Sequence, residues 1–145
     1  MSLPGDAMRV AAAALLVIAA FVQPASAQDS PASTQAATAA AQSWLATVDD
    51  AKYDDSWSQG ATAFRAAVTG QQWADAMRAV RAPLGAVKSR KLIAAQYTRQ
   101  LPGAPEGEYV VVQYLTEFAA RSATETVTPM READGSWKVS GYYIQ

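Results

Sequence analysis

The chain contains neither cysteine nor histidine. Without cysteine no disulfide can staple the fold, and no lipid can be attached at a processed N-terminus. Without histidine the commonest general base and metal ligand is missing, and with it the serine and cysteine triads that depend on an imidazole. Zinc would be left with carboxylates alone, against its preference for nitrogen and sulfur. No motif commits the chain to a cofactor, and none is expected. An excess of one charge is also lacking: 12 Lys and Arg stand against 13 Asp and Glu, for a net charge of −1. A balance so close to neutral draws the protein toward neither nucleic acid nor an anionic membrane surface. Long hydrophobic runs are missing as well, since the uncharged stretch from Val10 to Val22 falls short of the roughly 20 residues needed to span a bilayer.

What that stretch does resemble is the apolar middle of a secretory signal. Arg9 supplies the positive flank, Pro24 stands just before the end, and Ala25-Ser26-Ala27 forms a small-residue cleavage site before Gln28. The expectation is a signal peptide over residues 1–27 cleaved after Ala27, a periplasmic or secreted protein, and no stable membrane insertion after cleavage. Met8, with Arg9 directly behind it, is an alternative start. Residues 28–145 then suffice for one domain with its own core but not for two.

Residues 28–34 are small and polar and read as a flexible leader. From Gln35 to near Asp50, the spacing of Ala37, Ala40, Ala41, Trp44, Leu45 and Val48 predicts an amphipathic helix. Tyr53 to Gln59 reads as a short second helix, followed after Gly60 by an irregular or helical turn around Phe64. Thr69 is a suitable N-cap for a third helix over 70–82, where Trp73, Met77, Val80 and Arg81 share a face and Pro83 and Gly85 end it. Beyond Gly85 the period changes to 2. Strands are expected over 86–100, 108–119, 122–132 and 137–144, separated by the Leu101-Pro102-Gly103-Ala104-Pro105 turn and the Asp134-Gly135 hairpin. Strict alternation puts Arg90 with Lys88, Leu92 and Ala94, opposite Val87 and Tyr97. It also groups Trp137, Val139 and Tyr143 against Tyr142 and Ile144. The second strand, with Val110, Val112, Tyr114 and Phe118 on one face and Val111, Gln113, Leu115 and Glu117 on the other, is the most apolar and belongs inside the sheet. Pro129 marks an edge or a bulge. The fold class is α+β, three helices packed on a four-stranded antiparallel meander.

Several stretches read together: Trp44-Leu45 with Asp49, Tyr53 with Ser56-Trp57, Trp73, Leu84-Gly85 before Ser89-Arg90, the Leu101 to Tyr109 turn, and Trp137 before Gly141-Tyr142. In these the chain resembles the bacterial family called domain of unknown function 4019, over about Ala40 to Ile144. The resemblance implies a small exported protein with a cone-shaped, nuclear transport factor two-like or cystatin-like fold. It implies no catalytic residue, because that family has no assigned activity. A strand that many cone-fold proteins carry between their second and third helices has no counterpart here, so a shallow pocket is expected.

Three functional readings stay open on the residues. The first is a non-enzymatic binding or interaction domain for a small apolar ligand or a protein partner, with a pocket drawn from Trp44, Tyr53, Trp57, Arg90, Tyr114 and Glu117. The second is a cofactor-free isomerase or lyase built on Tyr53, Arg90 and Glu117. The third is a structural homodimer through the sheet face, for which Tyr109, Val111 and Leu115 would have to be exposed. If Arg90 faces the helices it needs a carboxylate, and Asp49, Glu117 and Glu125 are the candidates. Asp49, Asp50, Asp54 and Asp55 fit no calcium-loop spacing and read as a solvated helix end, with Asp54 or Asp55 capping the next helix.

Overall fold

Gly85, at φ 76°, divides the described chain into a helical half and a sheet half. The computed structural model describes residues 31–145, so the expected signal segment and the first residues of the expected leader lie outside the described residues. Four helices precede the glycine: α1 (Pro31–Asp49), α2 (Tyr53–Ser58), α3 (Thr62–Ala67) and α4 (Gly70–Arg81). Four strands follow it: β1 (Val87–Thr98), β2 (Tyr109–Phe118), β3 (Ser122–Arg131) and β4 (Trp137–Ile144). They form one antiparallel meander in the order β1-β2-β3-β4, an α+β architecture. Among the described residues no helix is long and apolar enough to cross a membrane.

Three differences from expectation concern the helices. The described part of α1 already includes residues 31–34, which the sequence reading placed in the leader. The turn around Phe64 is the six-residue helix α3, too short to show a period of its own. Helix α4 starts as expected from Thr69. Its hydroxyl accepts the Gln72 N–H at 3.1 Å, and the Gln72 carboxamide oxygen accepts the Thr69 N–H at 3.0 Å, a reciprocal capping box. Neither Asp54 nor Asp55 caps α2: the N-cap position is Lys52, without a side-chain bond, and both acids sit in the first turn.

Helix α1 lays Ala37, Ala41, Trp44, Leu45 and Val48 on the sheet, where they meet Val110, Val112, Tyr114, Val127 and Val139. Each large apolar side chain so buried contributes about 1.5–3 kcal/mol. Ser56, which no water reaches, ties three helices together. Its backbone carbonyl accepts the Trp44 indole N–H at 2.9 Å, its hydroxyl oxygen accepts the Trp73 indole N–H at 2.9 Å, and its O–H donates to the Tyr53 carbonyl at 2.7 Å. The Trp57 indole N–H donates to the Val68 carbonyl at 2.8 Å.

Strict alternation fails in both outer strands, for one physical reason. Register shifts in β1, between Val87 and Ser89 and again between Leu92 and Ala94, each insert an extra residue, so Val87, Arg90, Leu92, Ala95 and Tyr97 pair with inward-facing β2 residues. A shift opposite Thr128 and Pro129 does the same in β4. Val139 therefore shares the inner side with Tyr142 and Ile144, while Tyr143 turns outward beside Thr126. The inner strands β2 and β3 keep the expected faces, and Pro129 sits at the bulge.

Candidate functional site

The inward side of the sheet carries a polar cluster that needs its own accounting. Glu125, on β3, is completely buried, and it lies beside Tyr114 of β2 in the sheet register. A bare carboxylate there would be very costly, so each oxygen must be satisfied. Arg90 donates from Nε to Oε1 at 2.8 Å and from Nη2 to Oε2 at 3.2 Å. The Thr116 hydroxyl donates to Oε1 and the Tyr142 hydroxyl to Oε2. The remaining reach of Arg90 goes to Asp49, the last residue of α1, at 2.7 and 3.0 Å. Arg81, the last residue of α4, donates to the same Asp49 at 2.9 Å and stacks over the Phe118 ring with its guanidinium carbon 5.1 Å from the centroid.

Two carboxylates and two guanidinium groups from α1, α4, β1 and β3 are thus neutralised by one another. Burial alone would raise the Asp49 pKa, but hydrogen bonds and charge from Arg90 and Arg81 hold it below the usual carboxylate range. Burial, with the Glu125 charge and hydrogen bond added, pushes the Tyr142 hydroxyl far up, so Tyr142 acts as a donor at ordinary pH. Burial also works to lower Arg90 and Arg81, yet Asp49 and Glu125 carry Arg90 upward, and Tyr142, Asp49 and Glu125 carry Arg81 upward.

The rings beside the cluster pack against one another. Trp44 packs on Trp73 at 6.0 Å and on Tyr142 at 5.3 Å between centroids, and Phe64 meets Trp73 edge-on at 4.9 Å. A hollow of about 420 Å³ lies beside Trp44, Trp137 and Lys138, and further open space lies around β4 and α1. A groove of about 390 Å³ runs from beneath the 101–105 turn across β4 to α3, walled by Leu101, Pro102, Met130, Tyr142, Tyr143 and Phe64. A second, about 220 Å³, continues from Tyr142 and Tyr143 along Ile144 to Trp73, Met77 and Val80 of α4. No charged residue lines either groove. A wider hollow of about 680 Å³ lies between Leu92 and Ala95 of β1 and Pro31, Thr34, Gln35, Thr38, Ala39 and Gln42 of α1. Among the described residues no group of three or more acidic side chains is placed to hold a metal ion.

Set against this geometry, the six residues singled out from the sequence separate. Trp44 and Tyr114 are buried in the main core, Tyr53 and Trp57 are packed at its margin, and Arg90 faces inward as part of the ion network. Glu117 pairs with Ser89 and Ser122 on the outer side of β2 and is exposed, so alternation directs it away from Arg90. The Tyr53, Arg90 and Glu117 site is therefore not assembled. Of the candidate partners for Arg90, Asp49 and Glu125 both bind it. Of the three residues expected on a dimerising face, Leu115 is 49 % exposed and Val111 half-buried, but Tyr109 is buried, its hydroxyl donating to the Pro105 carbonyl at 2.6 Å under the turn.

Sequence reasoning missed Tyr142, Tyr143 and Met130 as groove residues, and Thr116 as a donor to Glu125. The signal for Arg81 was present in its place four residues after Met77 on the buried stripe of α4. Comparisons with curated proteins and with solved structures found no match. A family model described as Protein of unknown function (DUF4019) matches residues 40–142, from within α1 to within β4, and the chain belongs to that family.

Proposed function

We propose that the protein is an exported, non-enzymatic binding domain that holds an apolar, uncharged part of a protein partner in the grooves along β4. Export rests on the signal-like residues 1–27. The binding reading rests on one observation: Tyr143, 51 % exposed, and Val80, 45 % exposed, stand beside two adjoining grooves that no charged residue lines, while the inward side of the sheet is packed with rings and a self-neutralised ion cluster. Large uncovered apolar side chains grouped beside a groove usually mark an interaction surface. Catalysis would require a titratable group facing solvent in an apolar pocket, whereas Arg90, Asp49 and Glu125 are occupied with each other.

The test is binding of an environment-sensitive apolar dye to the purified protein and to a Val80→Asp, Tyr143→Ser variant. Both positions are surface-exposed, so the fold should persist, as circular dichroism would verify. The reading requires the variant to lose most of the dye fluorescence; equal binding by the two proteins refutes it.

A further inference from the structure

The two edges of the sheet are built differently. At one end β1 carries two bulges and the cations Lys88, Arg90 and Lys91, devices that discourage another strand from pairing. At the other end β4 bears charge only at Lys138, and its last four residues, Gly141-Tyr142-Tyr143-Ile144, have none. Beyond them, Thr124 and Gln145 exchange both backbone hydrogen bonds, each at 2.9 Å. Alternation along an antiparallel ladder then turns the N–H and C=O of Tyr143 and Gly141 toward β3, and those of Tyr142 and Ile144 toward the free edge. Higher on the same edge the Val139 carbonyl is already taken by the Ala61 N–H at 2.8 Å, where α3 begins. Among the described residues no backbone group bonds Tyr142 or Ile144 from that side.

We infer that β4 accepts an extended segment of a protein partner as a fifth strand along Tyr142 to Ile144. This rests on the reading of the β4 grooves as the binding surface and says how that surface is used. The unpaired backbone groups of Tyr142 and Ile144 supply the hydrogen bonds, and the apolar walls on the two sides supply the side-chain selection. Side chains of the segment on one side drop against Trp73, Met77 and Val80 of α4, and those on the other meet Tyr143. With no charge on either wall, a charged side chain of the segment would lie without a counter-ion, so both sets are apolar or small and uncharged.

The experiment uses fluorescein-labelled eight-residue peptides alternating Val or Phe with Thr or Ser, each paired with a version N-methylated at alternate residues, titrated into the purified protein by anisotropy. Methylation removes the donors facing β4 in one register and leaves the side chains alone. Strand addition predicts at least about a tenfold loss of affinity on methylation in that register, and a similar loss in Ile144→Pro, which removes one edge donor from the protein. Peptide binding that ignores methylation and Ile144→Pro, yet falls in the Val80→Asp, Tyr143→Ser variant, overturns strand addition while sparing the groove reading. Absence of peptide binding together with unchanged dye binding in that variant overturns both. A concentration-dependent dimer that Ile144→Pro dissolves identifies a second copy as the occupant and overturns the inference of a foreign segment.

Discussion

Replacing Arg90 with methionine tests whether the buried ion cluster holds the helices to the sheet. Methionine keeps much of the stem but removes the guanidinium, leaving Glu125, fully buried, with only the Thr116 and Tyr142 hydroxyls, and Asp49 with only Arg81. Removing one member of a buried pair costs about 3–5 kcal/mol, since the remaining charge keeps its desolvation penalty. The Arg90 side chain is 16 % exposed, so water relieves part of this and the lower end, about 3 kcal/mol, is expected. For a domain of this size that corresponds to a fall in Tm of about 12 °C, at about 4 °C per kcal/mol. The assay is urea unfolding followed by tryptophan emission, for which the chain has 4 indoles. The double variant Arg90→Met, Glu125→Leu removes both charges, and its cost should fall short of the sum of the two single variants by about 1–3 kcal/mol. Strict additivity, or a single-variant loss under about 1 kcal/mol, would refute the claim that this network is a mutually dependent unit.

Because the Asp49 pKa lies below its unfolded value of about 3.9, its contribution to stability is fully present above that pH and is lost as pH falls through the folded pKa. Urea unfolding between pH 5 and 2 should show this acid limb, and Asp49→Asn should flatten it at the expense of stability at pH 7. Gly85→Ala forces a Cβ onto a residue at φ 76°, 3.0 Å from the Ala119 Cβ, and should cost about 1–2 kcal/mol in the same assay. Thr69→Ala removes the α4 capping box and should cost about 1 kcal/mol. Glu117→Ala, on the outer face, should leave stability within about 0.5 kcal/mol of the parent, in contrast to Glu125→Ala.

Elements whose pattern spans several turns or strand pairs were legible from the residues alone. Helix α4 announced both its Thr69 cap and its buried stripe, and β2 and β3 showed clean alternation because each has neighbours on both sides. Parity failed where a strand is outermost: bulges at Lys88, near Ile93 and near Ser140 each shift the faces by one residue, and nothing in the local composition flags them. That is why Tyr143 was placed with Val139 when it faces outward, and why Tyr97 was set opposite Arg90 when both face in. The salt bridges of Arg90 were half legible, since burial demands a carboxylate, but the choice among Asp49, Glu117 and Glu125 depends on register. The grooves were illegible because they join residues from α3, α4, the 101–105 turn and β4 that no sequence spacing relates.

The central claim is that this domain works through the outside of β4 and not through its interior. The most direct measurement is the chemical-shift change of backbone amides, by ¹H–¹⁵N correlation spectra, on titrating the purified protein with an uncharged alternating apolar peptide. The account predicts changes concentrated at Ala76, Val80, Met130 and Tyr142 to Ile144. Changes centred instead on Arg90, Tyr114 and Glu125, with β4 silent, would contradict it.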